Sequence, residues 1–206
     1  MSCELLIGRQ ETCKDSLGGL RNVYFFNQEP VVTYYLDDSP PPPGNTTAIG
    51  LQDVIKYVSG VGALYKFELK ANENTYIENV LSDRSNGTTV FQQSLNIKLK
   101  KQDATTHKYL KLLAYGKVRV VVENNNNQFF LMGLKFGAEV TGGTITSGGA
   151  LQDHNGYTLT LTSEELKPAP FLNCSSENLL IETADGSGIG VFDFGTQIIT
   201  DNSLVD

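Results

Sequence analysis

A two-residue period constrains this chain more than any other feature. In 157–162, YTLTLT, Tyr157, Leu159 and Leu161 alternate with Thr158, Thr160 and Thr162. That period sends alternate side chains to opposite faces of an extended strand, whereas a helix would scatter them around its circumference. The same period runs through VGALYKFEL at 61–69, with Val61, Ala63, Tyr65, Phe67 and Leu69 on one face and Lys66 and Glu68 on the other. It returns in Leu95, Ile97 and Leu99 against Asn96, Lys98 and Lys100. Between these stretches, Asn86 and Gly87 both accept positive φ and predict a hairpin.

One segment has a helical period. In DATTHKYLKLLAY at 103–115, Thr106, His107, Leu110, Leu113 and Ala114 line one face and Lys108 and Lys111 the other. Asp103 is placed to cap the first turn, and Gly116 to close the last in a left-handed conformation. Beyond it, VRVVV and FFLMGLKF flank ENNNNQ, which predicts a second hairpin around an asparagine-rich loop. Asn155 and Gly156 predict a tight turn that sets the register of the strand from Tyr157, and Pro168 and Pro170 end its pairing because neither donates a backbone hydrogen bond. That strand is expected at or near a subunit edge, with its threonines toward a polar surface or a partner.

One helix among many strands predicts a mainly β fold, a β-sandwich or barrel with one flanking α-helix and extended loops or arms. At 206 residues the chain suits one domain with arms, assigned to 1–172 with a C-terminal extension at 173–206. The four prolines of DDSPPPPGNTTAIG make 37–50 a stiff projecting loop or spacer, and this stretch and the glycine-rich pieces after 173 are expected to find order on a neighbouring subunit or to stay mobile.

Chemistry is sparse. A net charge of -7 works against a general grip on nucleic acid, and the one basic stretch, KLKKQDATTHKYLK, reads as a solvated helix face. Cys3, Cys13 and Cys174 are too few and too odd for a disulfide framework, and with no signal-like start they point to synthesis in a reducing cytosol. No apolar run approaches the roughly 20 residues of a membrane span. GSGIG at 186–190 is followed by strand-like VFDFG rather than by the helix a phosphate loop requires. His107 and His154 lie far apart, and Glu164 and Glu165, being adjacent, face opposite ways on a strand, which argues against a paired-acid site. Tyr24, Phe25, Phe26, Tyr34 and Tyr35 read as strand packing, with a sugar-stacking platform as the minority alternative. No catalytic residue, metal or cofactor is expected.

The ordered blocks GRQETCKDSLGGLRNVYFFN, NGTTVFQQSLNIKLKK with its following helix, VRVVVENNNNQFFLMG and NGYTLTLTSEELKPAPF resemble the tail tube proteins of bacteriophages, especially phages of gut Bacteroidetes, over about 1–172. The resemblance implies a virion structural protein, made in the host cytoplasm. Its copies close into rings, usually hexamers, that stack into a hollow tube through which DNA passes without specific binding. Implied partners are further copies of itself and other tail or connector proteins, with no membrane anchor. An acidic channel would let DNA slide without sticking. Asn155, Gly156, Tyr157, Thr158, Thr160, Thr162, Pro168 and Pro170 are the assembly-interface candidates. A related ring, collar or adaptor protein, or a carbohydrate-binding β-sandwich, is the alternative.

Overall fold

The computed structural model describes residues 16–28, 33–36, 54–59, 61, 63–70, 73–174, 191–192 and 197–199. The proline-rich loop at 37–50, GSGIG, Cys3 and Cys13 lie outside them. The elements are β1 (Leu20–Asn27), β2 (Thr33–Leu36), β3 (Val54–Ser59), β4 (Ala63–Glu68), β5 (Thr75–Asp83), β6 (Thr88–Lys100), α1 (Ala104–Tyr115), β7 (Val118–Asn124), β8 (Phe129–Met132), β9 (Glu139–Thr146), β10 (Gly156–Glu165), β11 (Phe171–Leu172) and β12 (Gln197–Ile199). Among the described residues they form an eight-stranded sheet, β12-β4-β1-β7-β8-β11-β3-β2, and a four-stranded antiparallel sheet, β5-β6-β10-β9. The architecture is a β-sandwich with one helix, and neither sheet closes into a barrel.

The alternation in β6 and β10 decides where the first core sits. Leu95, Ile97 and Leu99 of β6 and Tyr157, Leu159 and Leu161 of β10 face Val23 and Phe25 of β1, Val120 and Val122 of β7, and Phe130 and Met132 of β8 between the sheets. Burying each such side chain contributes about 1.5–3 kcal/mol.

A second core lies on the far face of the large sheet, where Tyr24, Phe26, Val121, Phe129 and Leu131 pack with Ile55, Val58, Leu64, Val191 and Phe192. This explains why β1, β7 and β8 read as continuous apolar runs instead of alternating: their side chains are buried on both sides. Phe192 meets the ring of Phe26 on β1, at 5.7 Å between centroids, and bridges to Val58 on β3. Since β1 and β3 are four places apart in the sheet, the sheet is rolled around this cluster. The face of β4 that carries Lys66 also carries Leu64, fully buried in the second core, so that face is not the wet one its charges predicted.

The described pieces of 173–206 are built into the domain. Val191 and Phe192 belong to the second core, and β12 extends the large sheet beside β4 in parallel.

The helix forms where its period placed it. Asp103 caps it by accepting from the Thr106 backbone N–H at 2.8 Å. Two details differ from expectation. Gly116 is extended (φ -108, ψ 164) and not left-handed, because the chain turns directly into β7. On the helical face only Leu110 is buried, with Leu113 half-buried and His107 and Ala114 exposed, because α1 rests on the margin of the sandwich. The hairpin β7–β8 forms as predicted around the asparagine run, and β5–β6 turns over 84–87 with positive φ at Gly87 but not at Asn86.

Candidate assembly surface

The four-stranded sheet is asymmetric in exposure. Its inner residues fill the first core, while its outer face is open to solvent and built from Gln92, Ser94 and Asn96 of β6, Thr158, Thr160 and Thr162 of β10, and their neighbours on β5 and β9. Cross-strand hydrogen bonds tie a central row together: the Thr160 hydroxyl lies 2.7 Å from the Asn96 side-chain oxygen, and the Asn96 amide donates to Thr75 at 3.5 Å. Gly142 ends that row opposite Thr160, with open space above it. The threonines therefore face outward, as the alternation predicts.

β10 itself is not an edge strand. It is paired along its length with β6 on one side and β9 on the other, so its threonines offer a neighbour a face and not a ladder. The expectation of a strand at the subunit edge is corrected: the edges of this sheet are β5 and β9. Neither strand contains proline or lysine, and from Val140 to Ile145 β9 carries no charge at all. Ile77 on β5 and Ile145 on β9 are about half exposed (49% and 55%). Natural sheets blunt their edges with lysine, proline or very short strands, and these two long edges use none of those three, though β5 carries Glu78 and Asp83, and β9 begins with Glu139 and shifts register opposite Thr160 and Leu161. Among the described residues the large sheet does the opposite, ending in strands of four and three residues.

The β5–β6 ribbon overhangs the sandwich. β10 stops pairing at Glu165 opposite Phe91, while β5 and β6 continue to Asp83 opposite Thr88. Val80 points toward the core side yet is 61% exposed, because no second layer reaches it. Asp83 ties the turn at the tip, and the Ser85 hydroxyl, followed by the Ser85 backbone N–H, holds its carboxyl below the usual range.

Asn155 and Gly156 are not a tight turn. The β9–β10 connection is the loop 147–155, in which Asp153 accepts backbone N–H groups of Ala150 and Gly149 at 2.7 and 2.9 Å, holding its carboxyl low. Gly156 is the first residue of β10, at φ +156, and a Cβ there would collide with the Leu99 carbonyl oxygen. Close approach of two backbones, more than turn geometry, requires glycine. Asn155 joins the same corner by accepting from the Lys101 N–H at 2.7 Å. Tyr157 is buried, and its hydroxyl bonds the Asp103 carbonyl at 3.1 Å, linking β10 to the helix cap. After Pro168, the Pro170 carbonyl accepts from Leu131 and the chain re-enters the large sheet as β11. Glu164 is exposed and Glu165 buried, the opposite facing that their adjacency required.

Sequence reasoning missed a buried polar cluster beside the sheet. Glu165 accepts the N–H groups of Lys135 and Phe136 at 2.9 and 2.8 Å, Gln93 accepts from Gly133 at 3.0 Å, and Ser163 donates to the Gly137 carbonyl at 2.7 Å. Glu78 joins it, accepting from Gln93 at 3.2 Å and from the Ala169 N–H at 3.0 Å. These side chains fix the 133–138 loop, and the signal was present: Ser163 and Glu165 are in phase with Leu159 and Leu161. Burial and the neighbouring Glu78 carboxylate also push the Tyr76 hydroxyl up, away from ionisation.

The remaining chemistry-bearing groups are dispersed. No group of three His, Cys, Asp or Glu side chains able to hold a metal exists among the described residues. His107 is exposed beside the Tyr157 ring, and His154 lies in the 147–155 loop. Tyr24, Phe25 and Phe26 are buried, as strand packing predicts, and the side chains of Tyr34 and Tyr35 lie outside the description. A groove of about 560 Å³ between α1 and the β1–β4 pair is walled by Phe25, Phe67, Tyr109, Leu110 and Leu113. No described helix is long and apolar enough to cross a membrane. No family model, curated protein or solved structure matches the chain.

Proposed function

We propose that this chain is a structural subunit of a bacteriophage tail tube, whose copies close side by side into rings that stack into a conduit for DNA in the virion tail. The observation that carries the reading is the four-stranded sheet whose two long edge strands, β5 and β9, pair with no further strand among the described residues. An antiparallel sheet ending in free N–H and C=O groups at both sides is a template for further strands. Pairing β5 of one copy with β9 of the next is a heterologous contact, and heterologous contacts close into rings when the rotation between copies permits. The threonine-bearing β10 then lies at the centre of each copy's contribution to a continuous sheet. Ile77 and Ile145, exposed in the single chain, are covered at the junction. The resemblance of the sequence to tail tube proteins supplies the biological setting.

Negative-stain electron microscopy and light scattering of the purified protein test the proposal. Rings of uniform diameter that stack into tubes are the expected outcome. Rings that never stack would favour the collar or adaptor role, and a strict monomer at all concentrations would overturn the proposal. The sugar-binding alternative gains no observation in its favour, since the three described aromatics of its platform are buried.

A further inference from the structure

We infer that Asn86, at the tip of the β5–β6 ribbon, is a self-modifying site: the Gly87 backbone nitrogen attacks its carboxamide and converts it to aspartate or isoaspartate. The inference is independent of the tube reading and concerns a reaction that the folded chain carries out on itself.

The sequence holds two Asn–Gly steps, Asn86–Gly87 and Asn155–Gly156, and the fold treats them in opposite ways. Glycine matters because it has no side chain to crowd its own nitrogen as that atom approaches the preceding carboxamide. Residues 83–88 are all exposed, Gly87 stands at φ +65, and a Cβ built on it would meet nothing within 4 Å. Among the described residues the Gly87 N–H has no hydrogen-bond partner, so that nitrogen is open to deprotonation by hydroxide. Asn155 has none of this freedom. Its carbonyl accepts from the Lys101 N–H at 2.7 Å, and Gly156 is buried as the first residue of β10, set between Lys100 of β6 and Thr146 of β9 with the Leu99 carbonyl against it. Bringing the Gly156 nitrogen onto the Asn155 carboxamide requires that corner of the sheet to open.

The reaction balances with water as its only co-reactant. The Gly87 nitrogen bonds to Cγ of Asn86, the Cγ–Nδ2 bond breaks, and ammonia leaves with the proton that Gly87 gave up. Water then opens the cyclic imide: breaking the new bond to Cγ gives aspartate, and breaking the original peptide bond gives isoaspartate. Asp83 makes the change consequential. Its carboxylate clasps the turn by accepting from Asn86 Nδ2 at 2.6 Å, from the Ser85 N–H at 2.8 Å and from the Ser85 hydroxyl. All these contacts are exposed, and exposed side chains change rotamer within nanoseconds, so the clasp slows the attack without preventing it. Either product places an anion where the Nδ2 donor stood, facing a carboxylate that can only accept. Isoaspartate also adds a methylene to the backbone of the turn. The clasp is lost in both cases, and residues 84–87 loosen.

The test follows the full-length protein over days at mildly alkaline pH and body temperature, with digestion in acid, where the reaction is slow, and peptide mass analysis. The Asn86 peptide should gain a single mass unit, with isoaspartate present, at least about tenfold faster than the Asn155 peptide, which waits on local opening. In urea the two should convert at similar rates. Brief trypsin treatment reads the consequence, because Arg84 lies in the turn and a loosened loop is the better substrate. Aged protein should be cut after Arg84 faster than fresh protein, while Asn86→Gln, whose longer side chain cyclises far more slowly, should keep the fresh rate on the same schedule. Native Asn86 converting no faster than Asn155 would overturn the proposal and make the Asp83 clasp a guard. Conversion with no faster cutting after Arg84 would overturn the loosening of the turn.

Discussion

The Glu165 carboxylate shows how much one side chain can organise. It is 5% exposed and holds two backbone N–H groups of the 133–138 loop, and a buried donor left without a partner costs about 1–3 kcal/mol. Glu165→Ala should therefore destabilise the protein by about 2–4 kcal/mol in denaturant titrations, while Glu164→Ala, on the exposed neighbour, should stay within about 0.5 kcal/mol. Equal costs would mean that the facing of the two residues has been misassigned. The parity of β10 made this pair legible in the sequence, but which backbone groups Glu165 would meet was not, because the loop it holds lies about 30 residues away along the chain. Cys174 allows a second test at this scale. Burial, followed by the nearby Glu123 carboxylate, pushes its thiol up to about 12. Its raised folded value means the stability it contributes is fully present below the unfolded thiol value near 8.5 and is lost as pH rises toward about 12. In a Cys3→Ser, Cys13→Ser background, a thiol reagent at pH 8 should label the native protein far more slowly than the unfolded chain, since only the thiolate reacts. Comparable rates would show that the site opens readily.

Among the elements, those with a single strong period were readable and those shared between two cores were not. β6, β10 and α1 each bury one side, so their sequences carry the 2.0 or 3.6 repeat undiluted. β1 and β7 are buried on both sides, and continuous apolar runs such as VYFF and VVV name a strand without saying what lies on either face. The asparagine run is another partial success. Its place in a hairpin was legible, but its use was not: Asn126 both donates to the Leu17 carbonyl and accepts from the Leu17 N–H at 2.8 Å, and Asn125 donates to the Gly18 carbonyl at 2.7 Å, so the loop pins the residues that lead into β1. For α1, the observed burial separates Leu110, which is buried, from Leu113, which is half-buried. Leu110→Ala should cost about 2–5 kcal/mol as a full core truncation, and Leu113→Ala, half-buried, clearly less. If Leu113→Ala proves the costlier change in chemical denaturation, the helix sits more deeply on its C-terminal half than described.

For the whole molecule, the arrangement of edges is what the proposed contact between copies rests on. Among the described residues the large sheet ends in short strands and is filled on both faces, whereas the small sheet keeps two long margins free of lysine and proline and one open face. Such an edge would be a liability in a chain that acts alone, and it becomes an interface when the opposite edge of another copy can satisfy it. No period in the sequence revealed this. Alternation identifies strands and their faces, but which strand ends a sheet depends on pairings between residues as distant as Asn96 and Thr160, so β10 looked like an edge when it is central. The proposed contact is directional, and that gives it a signature no self-complementary contact shares. Lysine introduced at an edge blocks strand addition by stranding a charge where a ladder would form. Ile77→Lys should disable β5 and leave β9 intact, and Ile145→Lys should do the reverse. Each variant alone is expected to remain a folded monomer by circular dichroism and light scattering. Mixed in equal amounts, they retain one compatible pair of edges, the β9 of the first and the β5 of the second, and should form a dimer that grows no further. Homodimers of either variant alone would instead reveal isologous pairing of like edges, and rings formed by both variants alone would place the subunit contact away from this sheet altogether.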